Sequence, residues 1–263
     1  MPKQPQAAFE SVFAFSPNRA TLGGTSYLIL GNRILGDLNS GDGISGGSVA
    51  GKENKAGKVS GDISSDMPSD ASGDRRYQSL DNCLIDCPPW DEGMEELIRK
   101  RGGVRWLVIT HRDAIATLKT VREIQQAFDC QVIIQEQEAY LLPGLELTTF
   151  HRELSIAPDL EVIWTPGYSP GSSCVYLNRH GGILFSGRHL LPTPDGQLRP
   201  QQQPKTFHWL RQLKYVEALR SRFTADTLQH CCPGANVGFL SGSKTVSNAY
   251  EQIEAVIEEV VTG

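Results

Sequence analysis

Residues 109–118, ITHRDAIATL, begin as a metal-binding motif would and then lose the groups that could bind a metal. His111 and Asp113 follow VRWLVI, the pattern of a buried strand, and imidazole and carboxylate groups are both ligands of zinc. The next three residues are alanine, isoleucine and alanine, whose side chains offer no lone pair. Since a zinc site has three or four protein ligands, this segment by itself does not supply one.

Histidine and cysteine residues elsewhere raise the possibility of a relocated metal or nucleophile site. The candidates are His189, His230, Cys87, Cys231 and Cys232. The two adjacent cysteines lack the two-residue gap of a common zinc pair. Neighbours on a strand point to opposite faces, so His230 is poorly placed to activate Cys231. The pattern favours small buried thiols, and a relocated Cys/His metal site stays open as the alternative.

The composition indicates a globular protein with no polyanionic partner. Of 263 residues, 39% are hydrophobic and 21% charged, and the formal net charge is −5. A negative chain is a poor match for nucleic acid or an anionic membrane, so we predict neither as a partner. We see no membrane-spanning run and no secretory signal at the N-terminus. Six cysteines, several within apolar runs, predict reduced thiols in a cytoplasmic protein.

Residues 39–76 differ in composition from the rest of the chain. They are dominated by glycine, serine and aspartate and contain no aromatic residue. Such a segment buries too little apolar area to offset its ordering entropy, so we predict a disordered insertion within a single domain spanning 1–263. A tolerated insertion between two strands is the favoured interpretation. A partner-binding arm is the alternative.

Strand and helix patterns alternate along the remainder and predict an α/β fold. Strands are predicted at 25–31, 82–87, 104–110, 130–135, 160–167, 172–178, 181–187 and 226–234. Helices are predicted at 88–103, 114–128, 136–142, 205–222 and 243–261. Asp91 is the expected N-cap of the first helix. The architectures that fit are a two-sheet core flanked by helices, or an open α/β sheet.

Six fragments, in this order, resemble the motifs of the metallo-β-lactamase-fold hydrolases. They are GGTSYLIL, NCLIDCPP, VITHRD, TPGYSPGSSCVYL, LFSGRHLL and HCCPGAN. The corresponding family motifs include T-H-x-H-x-D-H, T-P-G-H, S-G-D and P-G-H-G, and the THRD segment is similar to a branch with T-H-R-D-D-x-x-D-H. The resemblance covers nearly the whole chain outside 39–76. It implies a four-layer αββα sandwich.

The same resemblance implies a zinc-dependent hydrolase, but most of its ligand positions are replaced here. Tyr168 stands for the histidine of T-P-G-H, Arg188 for the bridging aspartate of S-G-D, and Ala235 for the histidine of P-G-H-G. Only His111 and Asp113 remain as possible ligands. Arginine is always protonated and has no lone pair, so its presence reverses the charge expected of a metal-bridging position. We therefore predict no metal and no other cofactor.

A vestigial pocket is expected where these motif loops would converge. Its candidate residues are His111, Asp113, Tyr168, Arg188 and His189. Because a buried charge needs a partner, we predict an ion pair between Arg188 and Asp113, with Tyr168 as a further hydrogen-bonding group. The residues freed from ligand duty after Asp113 are expected to be ordinary helix residues.

Two functions remain in view. The first is a non-catalytic binding or scaffold protein, a pseudoenzyme. Its pocket would bind an anionic small molecule through Arg188, Arg112 and His111, or it would use residues 39–76 for a protein partner. The second is a degenerate metallo-hydrolase acting on an ester, thioester or amide through a residual or relocated metal site. The sequence does not indicate the oligomeric state.

Overall fold

The first β-sheet contains seven strands that neighbour one another in chain order. The structure is a computed structural model that describes residues 3–31 and 81–262; the insertion predicted at 39–76 lies outside the described residues. The strands are β1 (Gln6–Phe9), β2 (Val12–Ala14), β3 (Tyr27–Ile29), β4 (Cys83–Ile85), β5 (Trp106–Ile109), β6 (Gln131–Gln135) and β7 (Leu147–Phe150). The pairs from β1 to β4 are antiparallel, and those from β4 to β7 are parallel.

The second sheet contains six strands in the order β15-β14-β11-β10-β9-β8. They are β8 (Glu153–Ala157), β9 (Leu160–Trp164), β10 (Ser173–Leu177), β11 (Ile183–Gly187), β14 (His230–Pro233) and β15 (Val246–Ser247). Only the β11–β14 pair among these is parallel. A small hairpin of β12 (Leu191–Pro192) and β13 (Leu198–Arg199) follows β11.

Four α-helices cover the outer faces of the two sheets. They are α1 (Glu92–Arg99), α2 (Leu118–Phe128), α3 (Trp209–Arg222) and α4 (Ala249–Thr262). Short 3-10 turns lie at Arg19–Thr21, Arg112–Ile115, Glu136–Leu141 and Val237–Leu240. Asp91 accepts a hydrogen bond from the backbone N–H of Met94, which confirms the predicted N-cap of α1.

Three buried clusters define the layers. The middle cluster joins the inner faces of both sheets and includes Val108 of β5 and Val175 of β10. A second cluster joins the first sheet to α1 and α2, and a third joins the second sheet to α3 and α4. The order helix, sheet, sheet, helix confirms the predicted αββα sandwich. Burial of apolar faces on both sides of each sheet is what stabilises this arrangement.

Three predicted helices begin later than the sequence pattern indicated, and one of them is the helix predicted at 205–222, which begins at Trp209. The predicted helix 114–128 was wrong at its start: Ala114 and Ile115 end a 3-10 turn, and Ala116 adopts φ 58° and ψ −82°. The side chain of Thr117 then caps α2 by accepting a hydrogen bond from Thr120 N–H. The predicted helix 243–261 was wrong in the same way, because Val246 pairs with β14 before α4 begins.

All six cysteines are free and buried, which confirms the prediction that these thiols are buried. Cys231 and Cys232 belong to different core clusters on opposite faces of the second sheet, and Cys87 belongs to a third. Alternation of side chains along a strand explains this separation. Within the described residues, no helix has both the length and the apolar character needed to cross a membrane.

Candidate ligand pocket at the strand ends

The loops that carry the four motif positions meet at one end of the two sheets. Ser173 donates its N–H to the carbonyl of Thr110 at 2.8 Å, and Gly234 donates to the carbonyl of Gly187 at 2.8 Å. A Cβ added to Gly187 would lie 2.8 Å from Oγ1 of Thr110, so the loop after β11 touches the loop after β5. These contacts require a small residue at Gly187 and bring four distant segments together.

Asp86, which follows β4, holds the start of the THRD segment in place. Its carboxylate accepts hydrogen bonds from the N–H of Thr110 at 2.8 Å and from Oγ1 of Thr110 at 2.8 and 2.9 Å. Burial raises the pKa of Asp86 to about 7, and the bonds from Thr110 and the charge of Arg188 offset this only in part. The sequence analysis missed this residue, although its place directly after a strand was a usable signal.

Tyr168 and Asp113 form the central hydrogen bond of the pocket. The phenol of Tyr168 donates to Oδ2 of Asp113 at 2.6 Å, and Nζ of Lys205 lies 3.3 Å from Oδ1. Burial alone would raise the pKa of Asp113, but the bond from Tyr168, with smaller contributions from His111 and Lys205, lowers it below its usual value. Asp113 is therefore an anion at neutral pH.

Arg188 pairs with backbone carbonyls and not with Asp113, so the predicted ion pair between them was wrong. One of its terminal nitrogens donates to the carbonyl oxygens of Thr21 at 3.1 Å and Leu22 at 2.8 Å. Its guanidinium carbon lies 5.6 Å from the centre of the Tyr168 ring, within the range of a cation–π contact. The physical reason is that Asp113 already has two donors, whereas the carbonyl groups of the 18–24 loop accept from the guanidinium.

His111 lies between the two charged residues and is neutral. It is 3% exposed, and its Nδ1 has no hydrogen-bond partner. Burial, followed by the charge of Arg188, lowers the pKa of His111 to about 3. Its ring packs edge-on against Tyr168 with the ring centres 5.1 Å apart. The structure thus brings His111, Asp113, Tyr168 and Arg188 together around one aromatic ring.

His189, the fifth predicted pocket residue, is hydrogen-bonded to the helix α3 through its backbone. Its backbone carbonyl accepts from the side chain of Gln212 at 2.8 Å. Its ring is buried, and neither ring nitrogen makes a hydrogen bond of standard geometry. Burial lowers the pKa of His189 to about 4, an effect that a weak interaction with the backbone of Tyr215 opposes. His189 therefore contributes an uncharged side chain beneath α3.

The side chains at the motif positions do not fit the zinc site that the family resemblance implies. A guanidinium has no lone pair, Ala235 offers only a methyl group, and burial together with the bond to Asp113 raises the pKa of Tyr168, which keeps its phenol protonated. Across residues 3–31 and 81–262, no three His, Cys, Asp or Glu side chains are grouped to hold a metal ion. The remaining donors, His111 and Asp113, fall short of the three or four that zinc takes.

The other metal and nucleophile candidates are dispersed. His230 packs edge-on against Phe9 rather than facing a thiol, with the ring centres 5.0 Å apart. Burial raises the pKa of Cys231 to about 12 and that of Cys174 to about 12. A thiol with such a pKa is protonated at neutral pH and is a poor nucleophile or metal ligand.

Sequence reasoning also missed Glu138, a second buried acid close to the motif loops. A Cβ added to Gly171 would lie 2.8 Å from its Cγ, which places the side chain directly under the TPGYSPGS turn. Neither carboxylate oxygen makes a hydrogen bond of standard geometry, and burial raises its pKa despite weak interactions with Ser169 and Gly171. No pattern within the EQEAYLL segment pointed to burial of this side chain.

Comparison with known proteins shows which solved structures share this fold. No model of a protein family matches the sequence, and no curated protein matches it significantly. Several solved structures do match. The DIM-1 metallo-β-lactamase, determined after exposure to ceftazidime, matches with a TM-score of 0.58 at 14% identity, over 99% of this chain and 98% of that one.

Two bacterial structures match similarly. A metallo-β-lactamase family protein from Thermus thermophilus has a TM-score of 0.55 at 14% identity, over 97% of this chain and 81% of that one. A metallo-β-lactamase from Staphylococcus aureus subsp. aureus COL has a TM-score of 0.55 at 13% identity, over 98% and 68%. These likenesses over nearly the whole chain agree with the layer order and the meeting of the motif loops. The chain has the metallo-β-lactamase fold.

Proposed function

We propose that this protein is a pseudoenzyme that binds an anionic small molecule in the pocket around Arg188. The observation that carries the proposal is a buried guanidinium at the position where the family motif has a metal-bridging aspartate. Arg188 is 6% exposed, its Nε has no hydrogen-bond partner, and its bonds go to neutral backbone carbonyls.

The charge of Arg188 has no full counter-ion within the described residues. Asp113 is engaged by Tyr168 and Lys205. Asp86 interacts with Arg188, but its pKa of about 7 leaves it only partly ionised at neutral pH. Burying an unbalanced charge is costly, so a carboxylate or phosphate placed beside the guanidinium would be favoured by both charge and hydrogen bonding.

Arg112 supplies a further cation near this pocket. Its guanidinium donates to the carbonyl of Lys205 at 3.0 Å, which holds it beside the Lys205–Asp113 pair. Arg112 and Lys205 together outnumber the single ionised carboxylate of Asp113. An anion approaching Arg188 therefore meets a positive rim.

The pKa values of His111, Tyr168 and the thiols support binding rather than catalysis by these groups. His111, at a pKa of about 3, is a weak general base, since a catalytic base works best with a pKa near the operating pH. Tyr168 is held protonated, and the described thiols are protonated as well. Asp86 has a pKa of about 7, which would suit a general base, but both of its carboxylate oxygens accept hydrogen bonds from Thr110. No imidazole, phenol or thiol here is therefore prepared to attack a carbonyl carbon.

The second candidate is the degenerate hydrolase acting on an ester, thioester or amide. One observation favours it: Nδ1 of His111 is buried and lacks a partner, as a ligand or base awaiting a substrate would be. A scaffold role for residues 39–76 also remains a proposal, because these residues lie outside the described part of the chain.

Elemental analysis and an anion-binding assay decide between these functions. We expect purified protein to carry well under one equivalent of zinc, iron or manganese and not to hydrolyse nitrophenyl esters or acyl thioesters. Phosphate, succinate or citrate should raise Tm in the wild type and in the control Arg122→Met, which removes an exposed cation of α2, but not in Arg188→Met. One or more equivalents of metal, with hydrolysis, would establish the second candidate. If the anions raised Tm equally in all three proteins, anion binding at Arg188 would be refuted.

A further inference from the structure

A trough with an aromatic floor lies between the C-terminal end of β9 and the helix α3. It consists of two cavities of about 410 and 360 Å³, and Trp164, Lys214 and Tyr215 line both. Binding sites for small organic molecules fall in this size range. None of these three residues belongs to the Arg188 pocket.

The floor is a fixed pair of aromatic rings. Trp164 and Tyr215 meet edge to face with their ring centres 5.5 Å apart. The indole N–H of Trp164 donates to the carbonyl of Pro170 at 2.9 Å, and His151 stacks on the indole with 6.3 Å between ring centres. These contacts hold both rings in place while leaving them only partly buried. A planar ligand would thus meet a preorganised surface.

The rim carries positive charge that the protein does not neutralise. Arg152, Lys214 and Arg211 are exposed, and their side chains make no hydrogen bond or ion pair with any residue in the described ranges. The acidic side chain of the trough, Glu153, is instead paired with Arg222 at 2.9 Å. Three unpaired cations therefore surround the trough in a chain whose net charge is −5.

This combination selects a ligand with both an aromatic ring and a multiple negative charge. Stacking on an aromatic ring tolerates any planar base, and cations beside it attract phosphate. A simple acidic peptide would use the rim but not the floor, and a neutral aromatic compound would use the floor but not the rim. We propose that the trough is a nucleotide-binding site, in which the base packs on Trp164 and Tyr215 and the phosphates lie beside Lys214 and Arg152.

Calorimetric titration of the full chain with ATP, adenosine and inorganic tripolyphosphate tests this site. We expect ATP to bind, and adenosine and tripolyphosphate to bind at least about tenfold more weakly, because each lacks half of the recognition. Lys214→Glu and Arg152→Glu should weaken ATP binding at least about tenfold, since each reverses one rim charge. Lys119→Glu, a matched reversal at an exposed lysine of α2, should leave it unchanged.

Further variants and ligands distinguish nucleotide binding in the trough from anion binding at Arg188 and from binding of a polymer. Arg188→Met should retain ATP binding, so the trough can be tested whether or not the pocket binds anions. Trp164→Leu should abolish the advantage of ATP over tripolyphosphate. Absence of ATP binding at millimolar concentration, or binding that resists both trough charge reversals, would overturn the proposal. The proposal would also be overturned if oligothymidylate or polyglutamate bound more tightly than ATP and lost affinity in the same variants. That result would assign the trough to a polymer.

Discussion

The phenol of Tyr168 donates a 2.6 Å hydrogen bond to the carboxylate of Asp113, joining two loops at positions where the family motifs would supply metal ligands. This bond is a direct contact between the loops after β5 and β9. Arg188 instead donates to the backbone carbonyls of Thr21 and Leu22. The arrangement is a polar network organised around a phenol.

Removing this hydrogen bond should destabilise the fold. Tyr168→Phe keeps the ring but deletes the donor to a partly buried, charged acceptor, a bond worth about 1.5–3 kcal/mol. We expect the free energy of unfolding in urea to fall by about that amount. Tyr140→Phe, at an exposed tyrosine, is the control and should change it little. A similar stability for both variants would show that the bond contributes nothing in solution.

Restoring the missing donors should create metal affinity. The triple substitution Tyr168→His, Arg188→Asp and Ala235→His adds three ligands beside His111, which suffices for a tetrahedral site. We expect elemental analysis after exposure to zinc and desalting to find about one equivalent in this variant. The single substitution Arg188→Asp should not retain zinc. Failure of the triple variant to bind any metal would mean that the loop backbones have diverged as well as the side chains.

Stability should decrease as the pH falls from 6.5 towards 4. His111 and His189 stay neutral in the folded state, with pKa values of about 3 and 4, but take up protons below pH 6.5 when unfolded. Each then disfavours folding by roughly 1.4 kcal/mol per pH unit. Asp86, with its raised pKa of about 7, acts in the opposite direction between pH 4 and 7, and so does Glu138, whose pKa burial also raises. The pKa of His230 is lowered by burial, so the net slope reflects three imidazoles against two carboxyl groups.

Chemical denaturation at a series of pH values measures this slope. His189→Gln should flatten it, whereas His151→Gln, at an exposed histidine, should preserve it. An unchanged slope in His189→Gln would mean that this ring becomes protonated in the folded protein. In that case His189 would contribute nothing to the loss of stability of the wild type between pH 6.5 and 5.

The contact between the loops after β11 and β14 should tolerate no side chain. A Cβ at Gly234 would lie 2.6 Å from the carbonyl oxygen of Gly187, and backbone atoms cannot move aside as a flexible side chain would. Gly234→Ala should lower the free energy of unfolding by about 1–3 kcal/mol. Gly238→Ala, where nothing lies within 4 Å of the new Cβ, should have little effect. Equal melting curves would contradict the close approach.

The thiols should resist modification in the native protein. All six are buried, and burial raises the pKa of each, for example Cys130 to about 12. We expect a small thiol reagent to label essentially none in native buffer within minutes and all six in denaturant. Rapid native labelling of any single cysteine would reveal a reactive thiol and revive the nucleophile hypothesis.

The sequence analysis was most successful where local patterning and turn chemistry act together. Asp91 was identified as a cap because a short acidic side chain before a helix has one main use. The starts of α2 and α4 were missed because Thr117 and Val246 have tertiary partners or caps that compete with helical periodicity. The pairing of Arg188 was missed for the same kind of reason: two possible acceptor groups, Asp113 and the 18–24 loop, are indistinguishable until the fold places them.

By itself, the sequence indicated an α/β fold, the buried thiols and the identities of the groups at the motif positions, because periodicity, turn residues and chemical type are local properties. The layer order came from the family resemblance, since the patterns alone also fitted an open sheet. Only the tertiary structure decided which of those groups meet. It joined Tyr168 to Asp113, turned Arg188 towards Thr21 and Leu22, and aligned Trp164 with Tyr215. Partner choice in a folded chain depends on distance and desolvation between residues far apart in sequence, and these are fixed only when the sheets and helices pack.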